Sequence, residues 1–241
     1  MIKSSRPNRR RILQGGAALG ALGMSGLGRV LAAPAASPRL SPRTNFVIRN
    51  AYVMTMEPDP GDVIGGDVHV KDGVIVAIAP FLDAPGATTI KGEGMIVLPG
   101  LVETHWHMWN TLLRSMSGDK VEFGYFRTTA ALGQKFEASD MYQGTRLAAA
   151  EAIHSGITFV HDWCHNIRGP EYAEADLRAL RESALRGRFS YGAMQVHPST
   201  RSIDLEDIER LHRGWAGYSN GGLIELGIDR KSTRLNSSHR L

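Results

Sequence analysis

Pro99-Gly100-Leu101-Val102-Glu103-Thr104-His105-Trp106-His107 decides how this 241-residue chain is read: an apolar strand runs into two histidines spaced i and i+2. Side chains alternate along a strand, so Leu101, Glu103, His105 and His107 are expected on one face and Thr104 and Trp106 on the other. Two imidazoles then converge at one strand end. In a β/α barrel that end is the C-terminal mouth, where such folds place their chemistry, and two neutral imidazoles there can hold one divalent ion. The preceding Met95-Ile96-Val97-Leu98 reads as a buried strand of the parallel type, and Pro99-Gly100 interrupts its ladder just before the polar residues begin.

The flanks supply the surrounding architecture. Upstream, residues 46–48, 52–54, 67–70 and 74–78 read as short strands, with Lys71-Asp72-Gly73 as a hairpin signal between the last two. Downstream, residues 140–154 repeat apolar side chains at helical spacing, and Ser155-Gly156 stops the pattern. Residues 157–162 form a candidate second strand, 173–185 another helix, 189–194 a third strand and 223–228 the beginning of a fourth. Strands alternating with helices predict parallel βαβ units.

The run from Pro99 resembles the metal-binding first strand of the amidohydrolase superfamily, whose pattern is Pro-Gly-hydrophobic-hydrophobic-acid/Asn-x-His-x-His. Its continuation, Asn110-Thr111-Leu112-Leu113-Arg114-Ser115-Met116, resembles the chlorohydrolase and cytosine-deaminase-like branch. The resemblance implies an α/β fold, a (β/α)8 TIM-type barrel beside a small β-sandwich. Residues 36–94 would be the N-terminal strands of that sandwich, and residues 95–228 about the first half of the barrel. It also implies hydrolysis of a non-peptide C–N bond, or deamination or dechlorination, of a small substrate, cyclic or acyclic, by water activated on one Zn or Fe ion. His105 and His107 match the family's first ligand pair. The other ligands and the acid/base groups follow later strands, past the end of this chain, so the catalytic acid/base residues are unassigned and the fragment alone is expected to be inactive. Two alternatives stay open: a hydantoinase- or dipeptidase-like binuclear member, and a barrel that serves only as a scaffold. The oligomeric state of the full-length protein is open too.

Around the pair, Glu103 is a candidate to orient a ligating imidazole through its free ring N–H. Trp106, Trp109, Asp162 and Trp163 gather near the first two strand ends and are candidates to wall a substrate pocket, although core packing explains the tryptophans equally well. His161 ends the second strand. Cys164, His165 and His197 read as loop residues, and none of these is assigned to the metal. Asp119, Glu122 and Tyr125 lie in a polar loop where the family places substrate contacts.

The two ends read differently from the body. Residues 1–35 lack acidic side chains and run from a basic segment into the weakly apolar Gly15-Gly16-Ala17-Ala18-Leu19-Gly20-Ala21-Leu22, the layout of a signal peptide. Arg9-Arg10-Arg11-Ile12-Leu13-Gln14 resembles a twin-arginine motif, and Ala33-Pro34-Ala35 offers a cleavage site. Export by the twin-arginine machinery to the periplasm or beyond is therefore expected. At the other end, Asp229-Arg230-Lys231-Ser232-Thr233-Arg234-Leu235-Asn236-Ser237-Ser238-His239 back-translates to a common sequencing adapter, so residues 229–241 are expected to be an artefactual tail. Of the formal net charge of +4, residues 1–35 carry +6 and residues 229–241 carry +3, which leaves −5 for the body. That acidic body, with no basic patch interleaved with aromatics, argues against a nucleic-acid partner. The single cysteine, Cys164, excludes an intramolecular disulfide.

Overall fold

The computed structural model describes residues 44–194 and 203–229. The expected export signal, His197 and residues 230–241 lie outside the described residues. Two sheets divide the rest. The first contains β1 (Asn45–Val53), β2 (Val63–Lys71), β3 (Val74–Ala79), β4 (Thr88–Lys91) and β5 (Ile96–Val97). Its order is β3-β2-β1-β4, and β5 also pairs with β1. The β2–β3 hairpin turns on Asp72 and Gly73, both at positive φ (50° and 80°). Two consecutive residues of that hand match the twist of the flanking strands, so the short Asp-Gly signal closes the hairpin as expected. Buried Asp67 ties β1 to β2 and to the following loop. It accepts the backbone N–H groups of Asn50 and Leu82, each at 3.0 Å, and the Arg49 guanidinium at 2.6 Å.

The second sheet is wholly parallel and carries the site. It runs in the order β6 (Leu101–Trp106), β7 (Ile157–Ile167), β8 (Arg186–Ala193), β9 (Ile224–Ile228). Between the strands lie α1 (Tyr125–Gly133), α2 (Ala138–His154), α3 (Pro170–Ser183), α4 (Leu205–Arg213) and the single turn α5 (Trp215–Tyr218). Local chemistry sets the helix ends. A reciprocal capping box between Glu137 and Asp140 opens α2, Pro170 opens α3 where no N–H is needed, and the Asp204 carboxylate caps α4 by accepting from Asp207 at 3.0 Å. The main core lies between sheet and helices, around Val160, Cys164, Phe189, Leu177, Leu180 and Trp109. At the far edge, the Asp229 amide donates to the Tyr191 carbonyl at 2.8 Å and extends the β8–β9 pairing, so the first residue of the expected tail is buried against the sheet.

The structure corrects three expectations. Met95–Leu98 is neither buried nor continuous with the histidine strand. Ile96–Val97 pairs with β1 in the first sheet, and Met95, Ile96 and Leu98 are all at least half exposed. The chain changes sheets across Pro99-Gly100, because a Cβ at Gly100 would lie 2.2 Å from Thr158 Oγ1. Only glycine allows that approach. Second, Cys164 and His165 are not loop residues: β7 continues through Ile167, and both are buried within it. Third, β6 does not alternate strictly. Glu103 pairs with Val160 and Trp106 with Asp162, three steps on β6 against two on β7. The extra residue at Thr104–His105 makes a bulge at the first of the metal-ligand candidates, where such irregularities re-aim side chains.

Candidate metal centre

The bulge and the end of β6 present the two imidazoles differently. His105 is exposed and His107 half-buried, with ring centroids 5.2 Å apart and planes nearly perpendicular at 87°. Glu103 meets this pair through the backbone: its Oε1 accepts the His105 N–H at 2.8 Å. That contact serves the amide at the bulge, where the ladder with β7 is interrupted.

His107 is oriented from β7. Its Nδ1 lies 2.6 Å from the Trp163 carbonyl oxygen and donates to it, which leaves Nε2 as the acceptor nitrogen. A divalent ion takes the unprotonated nitrogen of an imidazole, which at His107 is Nε2, so His107 with His105 beside it forms the candidate ligand pair. They supply half of a tetrahedral shell.

Trp163 also braces His105. Its indole Nε1 donates to the Thr104 carbonyl at 3.0 Å, and its ring is tilted 35° against His105 at 5.5 Å between centroids. His161 stacks on Trp163 at 4.1 Å and 25°, while its Nε2 shares a 2.7 Å hydrogen bond with Ser190 Oγ. Burial, with the nearby Arg188 charge, holds the His161 imidazolium below its usual range.

His165 is the residue that sequence reasoning missed. Its Nδ1 lies 2.8 Å from His107 Nδ1 and 3.3 Å from the Trp163 carbonyl. Burial, with the His107 ring close by, pushes its pKa down to about 3, so it is neutral. The signal was the period of two through His161, Trp163 and His165, continued past the point where polar residues suggested a loop.

The remaining pocket candidates are dispersed. Trp109 is in the core, edge-on to Phe136 at 5.2 Å and to His165 at 5.3 Å, and it does not wall an open pocket. Asp162 is fully buried, and its Oδ1 accepts the Met108 N–H at 3.0 Å. Trp106 lines a cleft of about 570 Å³ with Arg114, Glu151 and His154 against α2, and neither His105 nor His107 lines it. In the polar loop, the Tyr125 hydroxyl accepts from Asn110 Nδ2 at 3.0 Å.

The Amidohydrolase family profile matches residues 96–233, the span that holds the His-x-His strand end and the parallel sheet interleaved with helices. The chain belongs to the amidohydrolase family. It is 33% identical over 183 residues to a 5'-deoxyadenosine deaminase of Methanosarcina acetivorans, covering 73% of this chain and 40% of that protein. A 5-methylthioadenosine/S-adenosylhomocysteine deaminase of Symbiobacterium thermophilum is 32% identical over 182 residues, with the same two coverages. The chain thus spans about 40% of the length of these curated relatives. Among solved structures, an atrazine chlorohydrolase from Arthrobacter aurescens complexed with zinc superposes with a TM-score of 0.59 at 20% identity, covering 76% of this chain and 46% of that one. An adenosine deaminase from Xanthomonas campestris with bound zinc gives 0.58 at 23% identity, covering 76% and 42%. At these identities the two structures speak for the fold.

Proposed function

We propose that this chain is the metal-binding N-terminal part of an amidohydrolase that removes an amino group hydrolytically from a small nitrogen heterocycle of the 6-aminopurine nucleoside class. The observation that carries the reading is His107, with Nδ1 tied to the Trp163 carbonyl and its ring beside that of His105 at the end of the first strand of a parallel sheet. The purine nucleoside deaminases among its relatives support this substrate class over triazines, since they are about a third identical to the chain over the aligned residues while the triazine hydrolases are about a fifth identical.

When bound, a Zn or Fe ion supplies the Lewis acidity that makes water nucleophilic near neutral pH and polarises the substrate. The chain's own residues orient the site. Trp163 fixes the His107 tautomer, Glu103 holds the His105 backbone, and buried His165 stays neutral beside His107, so no imidazolium competes with the ion. The polypeptide of the relatives' length that carries this chain, loaded with zinc, should release ammonia from 5'-deoxyadenosine or 5'-methylthioadenosine. Release of chloride from atrazine with no action on either nucleoside would reverse the assignment of substrate.

Residues 1–35 support export by the twin-arginine route. Fused to a reporter active only after folded export, they should direct it outward, and replacing Arg9 and Arg10 together by lysine should abolish the signal. Export unchanged by that double substitution would assign the segment to the general secretory route.

A further inference from the structure

Between β7 and the helix layer lies a polar cluster that the metal centre does not use. Asp162, Cys164 and Asp176 are all fully buried, and their potential donor atoms lie within 4.8 Å of one another. Asp162 Oδ1 accepts the Met108 N–H, and the Thr145 hydroxyl of α2 donates to Oδ1 of Asp176 on α3. The second oxygen of each carboxyl, Oδ2, receives no N–H or hydroxyl donor. Two carboxylates side by side in a dry interior do not both stay ionised. A proton or a cation must lie between them.

A single proton satisfies the whole inventory. Placed on Asp162, it lets that carboxyl donate to Asp176 while Oδ1 still accepts from Met108. Asp176 then carries the one negative charge and accepts from Asp162, Thr145 and the Cys164 thiol. Burial and the adjacent Asp176 charge push the Asp162 carboxyl well up, and burial pushes the Cys164 thiol up, so both are donors at neutral pH. A cation would need a thiolate or a second carboxylate in the same dry space, with one oxygen of each acid already engaged.

We propose that Asp162 is a protonated carboxylic acid which, anchored on Asp176, positions His107 by fixing the peptide that follows it. This rests on the metal reading of His105 and His107, and it makes Asp162 and Asp176 positioning residues that touch neither substrate nor metal. The helix layer thereby sets the direction of a ligand on the opposite side of the strand.

Infrared spectroscopy of the chain, with and without 13C-carboxyl aspartate, tests the proton directly. A carboxylic-acid C=O band is expected at neutral pH, sensitive to the label and absent in Asp162→Asn. Cobalt titration followed by its visible d–d absorption tests the positioning. Asp162→Asn, whose amide also accepts from Met108 and donates to Asp176, should keep the wild-type affinity, whereas Asp162→Ala and Asp176→Ala should weaken it about 10- to 100-fold, the usual cost of losing a group that orients a ligand. No acid band in the wild type, or Asp162→Asn as damaging as Asp162→Ala, would overturn the proposal. So would cobalt retained by a His105→Ala/His107→Ala variant with a thiolate charge-transfer band, which would make the cluster a metal site. A wild-type chain that takes up no cobalt overturns the metal reading instead, and the acid band then still decides whether the proton is shared.

Discussion

The Trp163 carbonyl oxygen stands 2.6 Å from Nδ1 of His107, and the preceding residue, Asp162, holds the amide of Met108 at 3.0 Å. Two consecutive residues of β7 thus grip the two consecutive residues just past the end of β6. One contact fixes a ring tautomer and the other fixes the peptide that follows. Neighbouring parallel strands make this natural, because each contact is a short step across the ladder. The strength of the arrangement is that both anchors come from a buried strand rather than from a loop.

Glu103 is expected to matter as a hydrogen-bond acceptor and not as a charge, since it receives the His105 amide at 2.8 Å. Glu103→Gln keeps an acceptor and should change cobalt affinity little, whereas Glu103→Ala should lower it by about 10-fold, the lower end for residues that orient ligands. Equal losses in the two variants would assign Glu103 an electrostatic role instead.

Gly144 lets α2 lie against the segment that follows the histidines: a Cβ there would sit 2.3 Å from the Trp109 carbonyl oxygen. Alanine normally improves a helix by about 1 kcal/mol over glycine. Here overpacking should outweigh that gain, and Gly144→Ala is expected to destabilise by about 1–3 kcal/mol in urea unfolding. A rise in the urea midpoint would show that the contact relaxes freely.

Asp67 links stability to pH in the first sheet. Burial raises its pKa, but two backbone N–H donors and Arg49 outweigh that and hold it below the ordinary aspartate value. Because the folded pKa lies below the unfolded one, the contribution is complete above the ordinary value and disappears as pH falls through the lowered one. Asp67→Asn should therefore cost about 1.5–3 kcal/mol at neutral pH. It should also flatten the loss of stability in acid, measured as unfolding midpoint against pH. An unchanged acid slope would mean that other carboxylates dominate.

Much of the architecture was legible because it depends on near neighbours. The Asp72-Gly73 hairpin, the Ser155-Gly156 stop after α2 and the strand–helix alternation all follow from local chemistry. What escaped depends on distant partners. The slip between Glu103 and Trp106 exists only relative to β7, and nothing in the spacing of Thr104 and His105 announces it. Cys164 and His165 look like a polar loop, yet both are buried within β7, where Trp109 packs edge-on against His165. Met95-Ile96-Val97-Leu98 has the composition of a core strand, yet its sheet is decided by the turn at Pro99-Gly100. Asp162 and Asp176 meet because α3 folds back on β7, so their shared burial has no signature along the chain.

Cobalt titration of the chain and its His105→Ala and His107→Ala variants tests the central claim most directly. One ion per chain is expected, bound weakly because two imidazoles supply only half of a tetrahedral shell, and that binding should be lost with either substitution. Binding undiminished when both histidines are replaced, or no binding by the unaltered chain, would contradict it.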